Sequence, residues 1–228
     1  MALSGQSKSA ARKTRVLLVD DHPMVRERLA EAIQREPDLT VCGEAESRPQ
    51  AIEIIAATRP HLAIIDLTLK NSHGLELIKD IHAAHPEVAM LVVSMHDELL
   101  HAERVIRAGA RGYITKQEAT RKIMLAIRTV LKGGVYLSDK AAAHIAASKI
   151  GESRLTGGLT VDKLSDRELR IFELTGEGKG TRQISEELEL DVRTIHTYRA
   201  RIKNKFHLKD FDELRQFAVH WSQTQEHP

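Results

Sequence analysis

Apolar residues recur along the first half of the chain in two alternating rhythms. Short β-branched runs at residues 16–20 (VLLVD), 39–45 (LTVCGEA), 62–67 (LAIIDL), 89–95 (AMLVVSM) and 112–116 (GYITK) read as strands. Apolar runs of this length mark strands covered on both faces. Between them, residues 24–35, 50–58, 74–84, 99–108 and 120–131 carry helical spacing, with turn signals at Pro37, Pro60, Pro86 and Gly109. Strands separated by helices in this way predict a parallel sheet with helices on both faces, a (βα)5 domain over residues 14–132.

The rhythm breaks at residues 132–162, where two Gly-Gly pairs flank a moderately helical DKAAAHIAASKI. Paired glycines weaken helix and strand alike, so residues 133–160 are expected to form a linker carrying one helix. No strand-like run follows, and residues 161–228 are expected to fold as a four-helix domain. Ser165 and Glu168 have capping-box spacing and mark its first helix. The second covers residues 181–188, the third begins after Asp191 across the short ELEL turn, and the last covers 211–221. Two helices joined by so short a turn make a helix-turn-helix. On the third helix Ile195, Tyr198, Ile202 and Phe206 recur at helical steps and predict its buried stripe. The fold class is therefore α/β followed by all-α.

Composition limits the function classes. A chain of 228 residues with a 42% hydrophobic fraction is globular and has room for two ordinary domains. A net charge of +2 is too small for a wholly basic nucleic-acid binder, so a basic patch must be local. Residues 192–209 supply it, with six Lys or Arg and no Asp or Glu. The single cysteine, Cys42, excludes an internal disulfide framework and fits a reducing compartment. No apolar run approaches the ~20 residues that span a bilayer. Residues 1–13 are basic with no apolar core behind them, so a disordered leader, a cytoplasmic location and no membrane partner are expected. The 12 histidines are dispersed, and no histidine metal centre is expected.

Candidate chemistry gathers at strand ends. RVLLVDDHP closes on adjacent carboxylates, Asp20 and Asp21, whose repulsion must be answered by a cation, a cap or solvent. Asp21 ahead of Pro23 also suits a helix N-cap. Ligand sites of parallel α/β sheets lie beyond the carboxyl ends of the strands, and Asp66 ends the third strand, expected beside the first. Three carboxylates converge there, a set suited to Mg²⁺. Lys116 at the end of the fifth strand can pair with Asp66 or a phosphoryl oxygen, and Ser94 at the end of the fourth can donate to that oxygen. On the third C-terminal helix, the face opposite the buried stripe carries Arg193, His196, Thr197, Ala200, Lys203 and Asn204. Small and polar side chains there suit entry into a major groove, with Arg193, His196 and Lys203 able to reach base edges or phosphates.

Residues 15–131 resemble the receiver domain of two-component response regulators, a flavodoxin-like fold, on VDDHP, IIDLTL, VSMH and GYITK. Residues 164–206 resemble the LuxR-type DNA-binding domain of NarL/FixJ regulators, on LSDRELRIFEL, GEGKGTRQIS and DVRTIHTYRARIKNKF. The resemblance implies a phosphorylation-controlled, DNA-binding transcription regulator and not an enzyme. In it, Asp66 would accept a phosphoryl group from a sensor histidine kinase. Asp21, Asp66 and the backbone carbonyl of Thr68 would ligate Mg²⁺, with Asp20 acting through water. Lys116 and Ser94 would hold the phosphoryl oxygens, and the Tyr113 ring would turn in behind Ser94 as a switch. Lys179, Thr181 and Arg199 would contact phosphates of double-stranded promoter DNA. Phosphorylation would uncover the recognition helix and permit a homodimer paired through the last helix, with RNA polymerase as a further partner.

Three positions qualify the resemblance. Lys70 stands where the family usually has a proline four residues after the phosphoacceptor, which loosens that loop. His196 and Tyr198 stand where many relatives carry lysine and histidine, so no operator sequence can be carried over. A Mg²⁺-dependent phosphohydrolase of the haloacid type, the rival enzyme, wants a second carboxylate at the position held by Thr68.

Overall fold

The computed structural model describes residues 13–70, 72–150 and 161–226. Almost all of the expected leader and the second part of the expected linker lie outside them. Two compact units divide the chain, one built on a parallel sheet and comprising the residues up to Leu69, His73–His96 and Arg104–Ser138, the other comprising Lys70–Ser72, Asp97–Glu103 and the helical chain from Asp139 onward. Among the described residues, no helix is long and apolar enough to cross a membrane.

Up to residue 138 the chain runs β1 (Thr14–Val19), α1 (Pro23–Gln34), β2 (Leu39–Ala45), α2 (Arg48–Thr58), β3 (Leu62–Ile65), the two-residue strands β4 (Thr68–Leu69) and β5 (Ser72–His73), α3 (Gly74–Ala84), β6 (Ala89–Ser94), α4 (Glu98–Ala108), β7 (Tyr113–Thr115) and α5 (Lys116–Leu131). The main sheet is parallel, in the order β2-β1-β3-β6-β7. Alternate residues of each strand enter opposite faces. Val16 and Leu18 join Ile33, Leu91, Ile114 and Ile127 in one cluster, while Leu17 and Val19 between them are equally buried. Burial on both faces explains the unbroken apolar runs.

Register brings the acids together. Val19 of β1 is level with Ile65 of β3, and the Asp66 amide donates to the Val19 carbonyl at 2.8 Å. Asp20 and Asp66 therefore leave adjacent strands at the same height. Ser94 is likewise level with Thr115, which sets Lys116 one residue beyond that pair.

Two helix starts differ from the periodicity. α5 begins at Lys116 and not near residue 120, because the Thr115 hydroxyl caps it, accepting from the Glu118 amide at 3.3 Å. Lys116 is thus a first-turn helical residue and not the end of a strand. At α1 the N-cap is His22, with Pro23 at the helix start, so Asp21 is not a cap. Residues 133–138, expected in the linker, follow the sheet edge. Tyr136 donates to the Arg111 carbonyl, and its own carbonyl accepts from the Tyr113 amide, both at 2.9 Å.

The second unit contains α6 (Asp139–Ile150), α7 (Asp166–Gly176), α8 (Thr181–Leu188), α9 (Val192–Lys205) and α10 (Phe211–Glu226). The capping box at α7 is formed, with the Ser165 amide donating to Glu168 at 2.7 Å and the Glu168 amide to the Ser165 hydroxyl at 3.4 Å. Phe172 of α7 centres the core, with the rings of Phe206, Phe217 and Trp221 at 5.6, 5.5 and 5.4 Å. α10 continues past the expected end at Trp221, since no breaker intervenes before Pro228. A Cβ on Gly176 would lie 2.6 Å from the Ala218 carbonyl oxygen, so glycine allows α7 and α10 to meet backbone to backbone.

Candidate phosphoacceptor pocket and nucleic-acid interface

Asp20 and Asp66 are each only 3% exposed, and ligand atoms of Asp20, Asp21, His22 and Asp66 all lie within 4.8 Å of one another. The Lys116 ammonium bridges two of the carboxylates, 2.7 Å from Asp66 Oδ2 and 2.8 Å from Asp20 Oδ2. Burial and the Asp66 charge push the Asp20 carboxyl above its ordinary pKa, against the opposing pull of Lys116. Burial alone would lower Lys116, but the Asp66 and Asp20 carboxylates together hold its pKa above the ordinary lysine value. Asp66 Oδ1 is buried without a hydrogen-bond partner. Lys116 reaches two of the three carboxylates, and an oxygen set of this kind could hold a hard divalent cation.

The remaining expected residues lie around this pocket. Ser94 is fully buried at the end of β6, and its hydroxyl accepts from the His96 amide at 3.4 Å. Tyr113 is fully buried and donates its hydroxyl to the His96 carbonyl at 2.8 Å. The Thr68 hydroxyl bonds His96 Nε2 at 3.0 Å. His96 therefore joins Thr68, Ser94 and Tyr113, a role sequence spacing did not reveal. Three more residues escaped the pattern. The His22 amide donates to Asp20 Oδ1 at 2.9 Å, and its ring nitrogen lies 2.6 Å from Asp21 Oδ1. Arg26 donates to the Asp20 carbonyl at 2.5 Å and pairs with Glu44 at 3.2 Å. Gly74 lies against the Asp66 loop, where a Cβ would fall 2.0 Å from the Asp66 carbonyl oxygen. Its SHG context offered only a helix start.

In the second unit α8 and α9 form the helix-turn-helix. Glu189, the α8 C-cap, takes a left-handed conformation at φ 51°, and the Asp191 carboxylate caps α9 through the Arg193 amide at 2.7 Å. Ile195, Ile202 and Phe206 are buried and Tyr198 is partly buried, as the stripe predicts. Arg193, His196 and Thr197 are exposed, and Lys203 is half-buried with its ammonium 3.2 Å from the Lys209 carbonyl. The basic patch is narrower than its sequence. Lys205 pairs with Glu168 at 2.6 Å, and Lys179 lies 2.6 Å from Glu187 and 2.9 Å from Glu177. Burial opposes the Lys179 charge, but those two glutamates hold its pKa above the ordinary value. Arg199, expected at the DNA surface, directs its guanidinium to Thr181, Thr175 and Lys179 of its own domain. The apolar face of α10, with Leu214 and Ala218 buried, packs within this unit.

Residues 16–128 match the family model described as the response regulator receiver domain, and residues 162–218 match the luxR family of bacterial regulatory proteins. The oxygen regulatory protein NreC of Staphylococcus aureus strain JH9 is 30% identical over 209 residues, spanning 90% of this chain and 96% of NreC. The chain is a response regulator with a LuxR-type output domain. This response regulator is similar to a solved LuxR-family response regulator from Aurantimonas sp. SI85-9A1, at 33% identity and TM-score 0.56 over 60% of this chain and 99% of that one. It shares its fold with RcsB of Salmonella typhimurium, at 22% identity and TM-score 0.70 over 92% and 98% of the two chains. A further RcsB structure, from Salmonella enterica serovar Typhimurium, was solved on a promoter with phosphomimetic BeF3⁻, and matches at 23% identity and TM-score 0.66 over 91% and 98%. Response regulators of this kind are DNA-binding transcription regulators and not enzymes, and receiver domains as a family use Mg²⁺ for phosphorylation.

Proposed function

We propose that Asp66 of this response regulator accepts a phosphoryl group from a sensor histidine kinase, and that the modified protein dimerises on double-stranded promoter DNA in the cytoplasm and works there with RNA polymerase. The observation that carries the reading is the state of Asp66. Lys116 anchors one of its oxygens, and the other is buried without a partner. A carboxylate oriented in this way can attack phosphorus as the bond to the kinase imidazole breaks, the imidazole nitrogen keeping the electron pair. Mg²⁺ on Asp21, Asp66 and the Thr68 carbonyl, with Asp20 through water, would supply further positive charge and neutralise the phosphoryl oxygens. Lys116 and the Ser94 hydroxyl offer donors to the same oxygens.

The aspartyl phosphate carries close to two negative charges where the carboxylate carried one, and presents three acceptor oxygens. Moving Ser94 toward them would pull on His96, which also holds the Tyr113 hydroxyl. Tyr113 is already buried, so its switching consists in exchanging that bond and not in entering the core. In the second unit Arg193, His196, Thr197 and Lys203 would read bases or phosphates, and Lys179 and Thr181 would hold the backbone. Release of the C-terminal domain on phosphorylation completes the reading. The deciding experiment is intact mass after incubation with Mg²⁺ and a small acyl phosphate, for wild type and Asp66→Ala. One phosphoryl addition, in wild type only, is expected. No addition to a folded, Mg²⁺-binding protein would make the receiver a protein-contact module.

A further inference from the structure

Arg199 lies on the recognition helix α9, within the basic run that marked this helix as a DNA reader. Its guanidinium is nevertheless occupied inside the domain. One terminal nitrogen donates to the Thr181 hydroxyl at 2.7 Å, and the other to the Thr175 hydroxyl at 3.3 Å and the Lys179 carbonyl at 3.2 Å. Nε is buried with no partner. Burial also lowers the pKa of this arginine.

The three acceptors come from three pieces of the fold. Thr175 lies in the last turn of α7, Lys179 in the turn after it, and Thr181 is the first residue of α8. Thr175 donates its own proton to the Ile171 carbonyl at 2.7 Å and so meets Arg199 as an acceptor. Thr181 likewise meets Arg199 as an acceptor. A planar fork with several fixed N–H directions can hold three such oxygens at once, whereas an ammonium on a flexible stem cannot.

We infer that Arg199 is a positioning residue for DNA binding, which fixes α9 against the start of α8 and holds the Thr181 hydroxyl, and is not itself a phosphate contact. Its loss tilts the helix that carries Arg193, His196 and Thr197. Discrimination between DNA sequences suffers first, while the number of phosphates neutralised is unchanged.

Fluorescence anisotropy with the full-length chain tests this, using Arg199→Met and Arg199→Lys. The probes are a duplex of about 30 base pairs enriched from a randomised pool by wild type, long enough for two half-sites a helical turn apart, and a scrambled duplex of equal length. Titrations run from about 50 to 200 mM salt, where each lost phosphate contact lowers the log–log slope by about 0.9. Both variants are expected to lose about tenfold or more on the enriched duplex and less on the scrambled one, with the wild-type salt slope and no rescue by lysine. A slope lowered by about 0.9 in Arg199→Met, with lysine restoring both slope and affinity, would overturn the inference. Should Arg199→Met fail to fold, Thr181→Val and its combination with Arg199→Lys decide the matter. Positioning through Thr181 predicts that the double variant is no worse than the poorer single one. Additive losses would overturn it.

Discussion

At the scale of single residues, the pocket trades stability for chemistry. Buried carboxylates facing one lysine repel each other, and the raised pKa of Asp20 records that cost. Because the folded value lies above the ordinary 3.8, the stabilising share of Asp20 is complete below that pH and is lost as pH rises through the folded value. Asp20→Asn should therefore raise the Tm in Mg²⁺-free buffer at neutral pH, with the gap closing toward acid; thermal melts across pH check it. Gly74 carries a different constraint, because an alanine methyl there meets backbone that cannot rotate away. Gly74→Ala is expected to shift the Asp66 loop and slow phosphoryl uptake from an acyl phosphate by up to about a hundredfold, the scale of a 1 Å misplacement. Tyr113→Phe removes one hydroxyl and leaves the His96 carbonyl without its bond, costing about 1 kcal/mol in denaturant unfolding.

At the scale of elements, helix starts decide where the functional groups stand. Thr115 caps α5 and so fixes Lys116 in the first turn, one residue past the sheet. Apolar periodicity starts that helix only at residue 120, because its first turn overlaps the end of the GYITK run. The Ser165 and Glu168 box was legible because no strand pattern overlapped it. Burial works against the Glu168 charge, yet Lys205 and the Ser165 amide hold its pKa below the ordinary 4.5. Its contribution is therefore present above that pH and is lost as pH falls through the depressed value. Glu168→Gln should cost about 1 kcal/mol at neutral pH and nothing once the wild-type carboxyl is protonated, measured by urea unfolding at several pH values.

At the scale of the whole molecule, the two units carry separate halves of one response. Phosphorylation at Asp66 would make the receiver pocket more negative by close to one unit, and the helical unit supplies the exposed face of α9. A homodimer formed on phosphorylation should appear in sedimentation as a rise in mass with acyl phosphate that Asp66→Ala abolishes. Operator affinity should rise with it. If the C-terminal unit alone bound DNA no better than the unphosphorylated full chain, release from occlusion would not be the switch.

Periodicity, turn residues and motif spacing determined the five parallel strands, the acids at their ends and the helix-turn-helix, because those features depend on local propensity and on which faces must be buried. The order of the strands beside β1 also followed, since right-handed crossovers leave few arrangements. What only the tertiary structure decided were contacts between residues far apart in the chain. His96 joining Thr68 to Tyr113, Gly74 beneath Asp66, and Arg199 turned inward where the family resemblance implied a phosphate contact all belong to this class. The reason is physical: a sequence pattern specifies which face of an element is apolar, but the partner of a polar side chain is set by where packing brings the other elements.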